Sequence, residues 1–598
     1  MTDKRVPVRL TSRDFTKIKS DLVEYAKRYY PDTYQDFNEA GFGSLMMDMT
    51  AYVGDMLSFY LDYQANESFI DSATEFNNVL RHAKNYGYKY TGAKTSFGEC
   101  DFYIIVPASS DGSEPDYAYA PKLLKNTKLN SKDGTGFLLN EDLDFASMAT
   151  QVAVARVDST TGAPTHYALK NVGEIISGEF LNEFFTIGAF ERFKRLELSN
   201  ADVSEVISVV DTEGNEYFEV DYLSQNVIFK AVVNRKDDKD TVQNILKPVY
   251  VPRRFVVEYE KDKTFLVFGH GSDDEITQDS VAEPNDIVLQ KYGKDYITDS
   301  TIDPSKFIST DKFGVAPSNT TLRVVFRSNT NQNSNAAANS ITEVTSPILV
   351  FENMNTLQSS KITSVRDGLE VNNAKPIVGD VTLPTTDELK RRAIDSFATQ
   401  NRAVTKQDYV SMAYAMPNKF GAVKRCSVIR DRNSFKRNLN MYVISENSNG
   451  NLIQCSQTLK ENLKTWLNRV KMVNDTIDIL DAYIVNFAVE CKVTGEFGKN
   501  KFDVKRQTEE EIRKFFAVKM DIGEPIVLTD IFRRIKDLTS VKDVVDIKIV
   551  PKVGGIFSDV NYDFAGNMSC DARLVSVPVD HILEMRYPTE SIKVMVVG

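Results

Sequence analysis

Residues 44–63 read SLMMDMTAYVGDMLSFYLDY, and their spacing decides how this part of the chain is built. Leu45, Met49, Tyr52, Met56, Phe59 and Tyr63 follow one another at gaps of four, three, four, three and four. A repeat of ~3.5 residues keeps one apolar seam in register against a partner helix along its whole length. Met46, Val53, Leu57 and Tyr60 form a second apolar stripe beside it. A helix with two apolar stripes needs more than one neighbour. The segment therefore predicts a helix made for assembly into a bundle.

Working outward, Phe15, Ile18, Leu22, Tyr25 and Tyr29 also step by threes and fours, with Ser12 as candidate N-cap and Pro31 as stop. A Gly-bearing link from Asn38 to Gly43 leads to Ser44, a second candidate cap. The seam can be followed past Tyr63 through Asn66, Ile70 and Ala73 to Leu80, and Gly87 ends it. Asn66 has two readings: a polar residue that fixes register within one long helix, or a break between two helices.

From Phe97 the texture changes to short β-branched and aromatic runs, such as Phe102–Val106, Val152–Val157, Val206–Val210 and Phe255–Tyr259. Asp211–Asn215 and Lys261–Lys263 read as hairpin turns. Asn329–Ser340 (NTNQNSNAAANS) has no aromatic and one β-branched residue, which predicts a flexible loop or linker. From Pro384 the pattern is α+β. Thr385 with Glu388, and Thr405 with Asp408, spell helix starts. Strands are expected at 422–429, 441–444, 477–489 and 544–550, and helices at 459–470, 504–516 and 529–538. The resulting expectation is an α+β multidomain chain. It has a helical bundle module (1–92), a β-rich middle (93–328), a linker with connecting strands (329–383) and an α+β C-terminal domain (384–598).

The totals narrow the function classes. The chain has 598 residues, 42% hydrophobic and 26% charged, so it reads as an ordinary globular composition spread over several cores. A net charge of −12 argues against a general grip on nucleic acid. Five scattered cysteines (Cys100, Cys426, Cys455, Cys491, Cys570) are an odd number with no close pair, which predicts reduced thiols and assembly in a cytosol. MTDKRVPVRL lacks the apolar core of a secretory signal, and no run approaches the ~20 apolar residues of a membrane span. The sequons at Asn66, Asn319, Asn474 and Asn567 then carry no meaning.

Chemistry is sparse. His82, His166, His270 and His581 stand apart from one another and from the cysteines, so neither a zinc site nor a cofactor is expected. Gly269-His270-Gly271 follows an apolar strand, but Asp273 and Asp274 come next and would repel phosphate; a strand-end turn is the better reading. The acidic loop around Gly214 lacks the glycine position of a calcium loop. Lys390, Arg391, Arg392, Arg402 and Lys406 form a basic cluster. It reads as a solvated face more readily than as a docking face for an acidic subunit.

Two stretches resemble the baseplate J-like family. The first runs from Asn38 to Ala93 and carries Glu39, Phe42-Gly43, Asp55, Asn66-Glu67 and Gly87-Tyr88. The second, Thr385–Asn418, carries Arg392, Ala393, Arg402, Ala403, Val404, Thr405, Asp408, Tyr409 and Ala413. The segment Ile522–Ile549 is similar to the family's closing helix and strand, with Gly523-Glu524-Pro525 in place of Pro-Gly. Length and the stretch Asp311–Thr330 are most similar to the large wedge subunits of T-even-like contractile-tailed phages.

That resemblance implies a structural part of a virion tail baseplate, assembled in the host cytoplasm, with no enzymatic activity. It implies that the N-terminal helices join a second copy of the chain and another wedge subunit in a three-chain bundle. Smaller wedge proteins would lie next to the tube and sheath. The C-terminal domain would pair with neighbouring wedges, closing a ring that rearranges on contraction. Two alternatives remain: a tail-associated cell-wall hydrolase, against which no acid/base pair stands out, and a receptor-binding module, against which no β repeat is visible. Physically, Arg402–Tyr409 reads as a helix start in which Thr405 caps and Arg402 pairs a carboxylate.

Overall fold

A computed structural model describes residues 14–33, 41–92, 94–109, 112–147, 150–159, 162–234, 244–261, 263–272, 313–329, 334–352, 354, 357–379, 384–431, 438–447, 450–517 and 519–597. Ser12, Glu39, Asp273 and Asp274 lie outside that set. Among the described residues the α-helices are α1 (Phe15–Tyr29), α2 (Phe42–Glu67), α3 (Phe76–Asn85), α4 (Ser359–Asp367), α5 (Thr386–Thr399), α6 (Lys406–Tyr414), α7 (Gln457–Asn468), α8 (Lys501–Phe515), α9 (Leu528–Lys536) and the single turn α10 (Pro588–Ser591). The chain forms two compact units. The first holds α1, α2, α3 and α5; the second holds Thr91–Thr382 and Asn401–Gly598.

In the first unit Asp14 caps α1 by accepting from the Lys17 N–H at 2.9 Å, and the helix stops at Tyr30, before Pro31. The N-cap of α2 is Gly41, not Ser44, which is buried inside the helix. The seam does not run on as one helix to Leu80. It breaks after Glu67, so Asn66 marks a junction: its side-chain amide donates to the Asp62 carbonyl at 2.7 Å and is buried there.

Glu67 makes the turn into α3. One carboxylate oxygen accepts from the Thr74 N–H and hydroxyl at 2.7 and 2.8 Å; the other accepts from the Asn78 amide at 2.9 Å. His82, from α3, meets the Glu67 carbonyl at 2.9 Å. Partial burial opposes ionisation of Glu67, but these hydrogen bonds outweigh it and hold its carboxyl below the usual carboxylate range.

Helix α3 buries Val79, Leu80 and Ala83 against Leu389 and Ala393 of α5. The capping box Thr385–Glu388 forms as expected, yet the helix it starts does not join the C-terminal domain in which the sequence reading placed it. Lys390 donates from its ammonium to the Asp71 carbonyl at 3.1 Å, and the Tyr86 and Phe397 rings meet edge to face at 5.6 Å. The physical reason is amphipathicity. Neither short helix can bury its apolar stripe alone.

The second unit begins with a seven-stranded sheet ordered Ile341–Ser346, Lys128–Ser131, Gly136–Leu139, Pro164–Ser177, Phe97–Pro107 and Glu370–Asn372, with Gln151–Val157 also paired to Pro164–Ser177. Described residues of the segment expected as a linker with connecting strands pack into this domain. Ala336 bridges Ile377, Ile341–Ser346 pairs with Lys128–Ser131, and Ile362 and Val365 of α4 enter the same core. Asn329 is buried, donating to the Lys94 carbonyl and to Ser177 Oγ at 2.6 and 2.8 Å. Of the stretch expected to be flexible, residues 330–333 lie outside the described set; Asn329 is held by its side-chain amide and Ala336 by its bridge to Ile377, neither of which composition registers.

A second seven-stranded sheet runs Glu179–Thr186, Thr321–Ser328, Val203–Val210, Glu216–Glu219, Arg254–Tyr259, Thr264–Phe268 and Arg195–Glu197. Both expected hairpins are in it. Val210 faces Glu216 across the Asp211–Asn215 turn, and Tyr259 faces Thr264 across the next. His270 lies at the end of Thr264–Phe268, its ring 5.0 Å from Phe193 and 5.7 Å from Phe313.

The C-terminal part has two cores where one domain was expected. The single strand expected at 477–489 is split by Ala482. Thr476–Asp481 pairs parallel with Asn438–Glu446, while Tyr483–Gly495 is central to the next sheet, between Val541–Pro551 and the parallel strands His581–Glu584 and Ile592–Val597. A buried charge cluster spans the split. Lys424 pairs with Glu446 at 2.8 Å, and Lys519 lies 3.7 Å from Glu446 and 3.9 Å from Glu584.

Candidate interaction surface

Helix α2 has three faces. One is made of small and acidic side chains: Ser44, Asp48, Ala51, Gly54, Asp55 and Ser58. This face takes α1. Ser44 and Ala51 are buried, Asp48 pairs with Lys19 at 2.7 Å, and a Cβ placed on Gly54 would sit 3.3 Å from Ile18 Cδ1. Small residues let two helix backbones approach closely.

The other two faces are the apolar stripes, and among the described residues both are left open. Leu45, Met49, Tyr52, Phe59 and Tyr63 of the seam, and Met46, Val53, Leu57 and Tyr60 of the second stripe, are all exposed; Met56 is the least so, at 37%. Phe59 stacks on Tyr63 at 6.4 Å and meets Tyr60 edge-on at 5.9 Å, so the rings line one continuous surface. The structure therefore brings the ten sequence-derived residues together on one side of the helix, away from the face that α1 occupies.

Two residues were missed. Phe42 is 76% exposed and lies three positions before Leu45, continuing the seam's own spacing backwards. It was overlooked because the helix was started at Ser44. Leu61 is 64% exposed and lies four positions after Leu57, at the margin of the second stripe. So many large apolar side chains on one contiguous face exceed what an isolated soluble domain normally exposes.

The second sequence-derived group, Arg402–Tyr409, sits elsewhere and has another character. Thr405 and Asp408 form a reciprocal capping box at the start of α6, at 3.2 and 2.8 Å. Burial opposes ionisation of Asp408, but the N–H groups of Thr405 and Val404 hold its carboxyl below the usual range, with the Arg402 charge adding to the effect. The Ala403 N–H donates to the Val470 carbonyl at 3.0 Å. Tyr409 is buried and donates from its hydroxyl to Asp475 at 2.8 Å; burial and that carboxylate push its pKa up to about 12. Arg402 and Val404 are exposed. The group ties the start of α6 to the loop after α7.

Among the described residues there is no cluster of three or more His, Cys, Asp or Glu side chains arranged to hold a metal ion. Four cysteines are buried and Cys570 is exposed; burial pushes the Cys100 and Cys491 thiols up to about 12. No described helix is long and apolar enough to cross a membrane. Of the basic cluster, Lys390, Arg391 and Arg392 lie on α5, in the first unit, whereas Arg402 and Lys406 belong to the second.

Residues 14–85 match the family model described as bacteriophage baseplate protein, N-terminal domain. The match begins at the α1 cap and ends with the last residue of α3. The matched span is the helical module α1–α3, and the match supports a baseplate-type N-terminal module for that part of the chain. A chain of the cryo-EM structure of the anti-feeding prophage (AFP) baseplate aligns at 10% identity and a TM-score of 0.24, over 91% of this chain and 96% of that one. A chain of the type VI secretion system TssK-TssF-TssG baseplate subcomplex aligns at 10% identity and a TM-score of 0.20, over 74% and 96%. At such TM-scores neither alignment establishes a shared overall fold. No curated protein sequence matches the chain.

Proposed function

We propose that this chain is a structural wedge subunit of a contractile-tail baseplate, and that the two open stripes of α2 are buried in a three-chain bundle. One partner helix is the same helix of a second copy, and the other belongs to a different wedge subunit. The observation that carries the reading is the open apolar side of α2 within a module whose sequence matches a baseplate N-terminal domain. One face is already taken by α1, so the two stripes leave room for two further helices.

In this reading the β-rich middle lies where the bundled chains diverge. Smaller wedge proteins pack next to the tube and sheath. The C-terminal region pairs with neighbouring wedges to close a ring that rearranges on sheath contraction. The chain assembles in the host cytoplasm, ends in the virion tail baseplate and is not an enzyme. Arg402–Tyr409 acts as an internal brace of its domain.

The test is light scattering after size exclusion, on the full chain alone and co-expressed with the other wedge genes of its source. A defined heteromer with two copies of this chain, lost on truncating residues 1–90, supports the reading. A stable monomer in both conditions overturns it.

A further inference from the structure

The strand Gln151–Val157 (QVAVARV) is exposed at every one of its seven positions. It pairs on one side only, with Pro164–Ser177, so among the described residues its other edge is open. Val152, Val154 and Val157 are each more than 40% exposed, and Arg156 is the strand's one charged residue. Such an edge is normally blunted by lysine, proline or a covering segment, because its free N–H and C=O groups template another strand. The blunting devices present here are register slips between Val154 and Arg156 and between Arg156 and Val157, which leave Gln151–Val154 regularly paired.

We propose that this edge is a second contact surface, covered by the same strand of a second copy of the chain, paired antiparallel about a two-fold axis. A row of unpaired main-chain groups is recognised by an extended strand. Self-pairing fits this sequence. With small apolar residues along the edge and one charge, an axis near Val154 sets Arg156 against Val152 and opposes no like charges. Two-fold pairing also closes the edge in both copies, whereas pairing to a different edge would leave an open end that propagates. It does not depend on the α2 reading.

The experiment is a cysteine scan in the full chain carrying Cys570→Ser, which removes the one exposed native thiol. Single cysteines replace each residue from Gln151 to Val157, and linked dimer is read on non-reducing gels after mild oxidation. Residues facing each other across an antiparallel pair lie ~5 Å apart, within disulfide reach. Linking is expected to peak at the position nearest the axis and to be lost at the strand ends. The pair Val152→Lys and Val154→Lys, added to the best-linking variant (or placed at the flanking residues if Val152 or Val154 is itself the cysteine), is expected to abolish linking. No linked dimer anywhere, equal linking at all positions, or a peak that survives the lysines overturns the proposal. Met56→Ala with Phe59→Ala in the same background leaves the peak in place, which separates this contact from the α2 bundle.

Discussion

Gly54 lies against Ile18: a Cβ added at Gly54 would come within 3.3 Å of Ile18 Cδ1 and 3.4 Å of Ile18 Cγ2. That closeness decides which face of α2 its own chain covers, and so which faces remain for others. An intramolecular neighbour takes the face of Ser44, Ala51 and Gly54, and the two apolar stripes stay exposed.

Gly54→Ala should be tolerated. The methyl meets the flexible end of an isoleucine, and alanine in a helix interior gains up to ~1 kcal/mol over glycine. Gly54→Val adds branches that Ile18 cannot clear and should lift α1 from α2. Limited trypsin digestion of the full chain reads this at Lys17 and Lys19: faster cleavage for the valine variant, unchanged cleavage for alanine.

Glu67→Ala should destabilise the turn between α2 and α3 by ~1–3 kcal/mol, since several donors lose a buried acceptor. The pH dependence follows from its lowered pKa. The folded value lies below the unfolded value of about 4.5, so the ionised carboxylate stabilises the fold above that pH. The contribution is lost as pH falls through the folded value. Hydrogen exchange of α3 amides between pH 6 and pH 3 should show this loss in the wild type and a flatter profile in Glu67→Gln.

Met56→Ala with Phe59→Ala should leave the melting of the isolated chain nearly unchanged, because both side chains are already exposed to water. Assembly should weaken by ~2–5 kcal/mol for each truncation that is buried in the bundle. Co-purification with the wedge partners measures the second effect and calorimetry the first. Normal assembly of the double variant would refute the bundle.

Thr405→Ala should cost ~1 kcal/mol through the lost cap. Tyr409→Phe removes the hydroxyl that donates to Asp475 and leaves that carboxylate short of a partner, at ~1–3 kcal/mol. Both should shift the denaturant midpoint of the second unit without altering wedge assembly. An unchanged midpoint would remove this group from the structural account.

Much was legible locally. The capping boxes at Thr385 and Thr405, the hairpins at Asp211–Asn215 and Lys261–Lys263, and the seam of α2 depend on neighbours within a few residues, and short-range spacing records them directly. The end of α2 was not decidable from spacing. Asn66 keeps the seam's period, and only the hydrogen bonds converging on Glu67 turn the chain there. Ala482 likewise lies within one run of strand-forming residues, 477–489, and the split depends on which partner strands arrive on each side.

What the amino-acid order by itself determined is the set of amphipathic elements and their periods, including an α2 whose apolar surface is too wide for one neighbour. What only the tertiary structure decided is who meets whom. Leu389 and Ala393 of α5, far from α3 in sequence, cover it, Ile341–Ser346 pairs with Lys128–Ser131, and α1 takes the Gly54 face rather than either large stripe. The reason is that burial is non-directional: an apolar stripe specifies that it must be covered, while shape and chain connectivity select the cover.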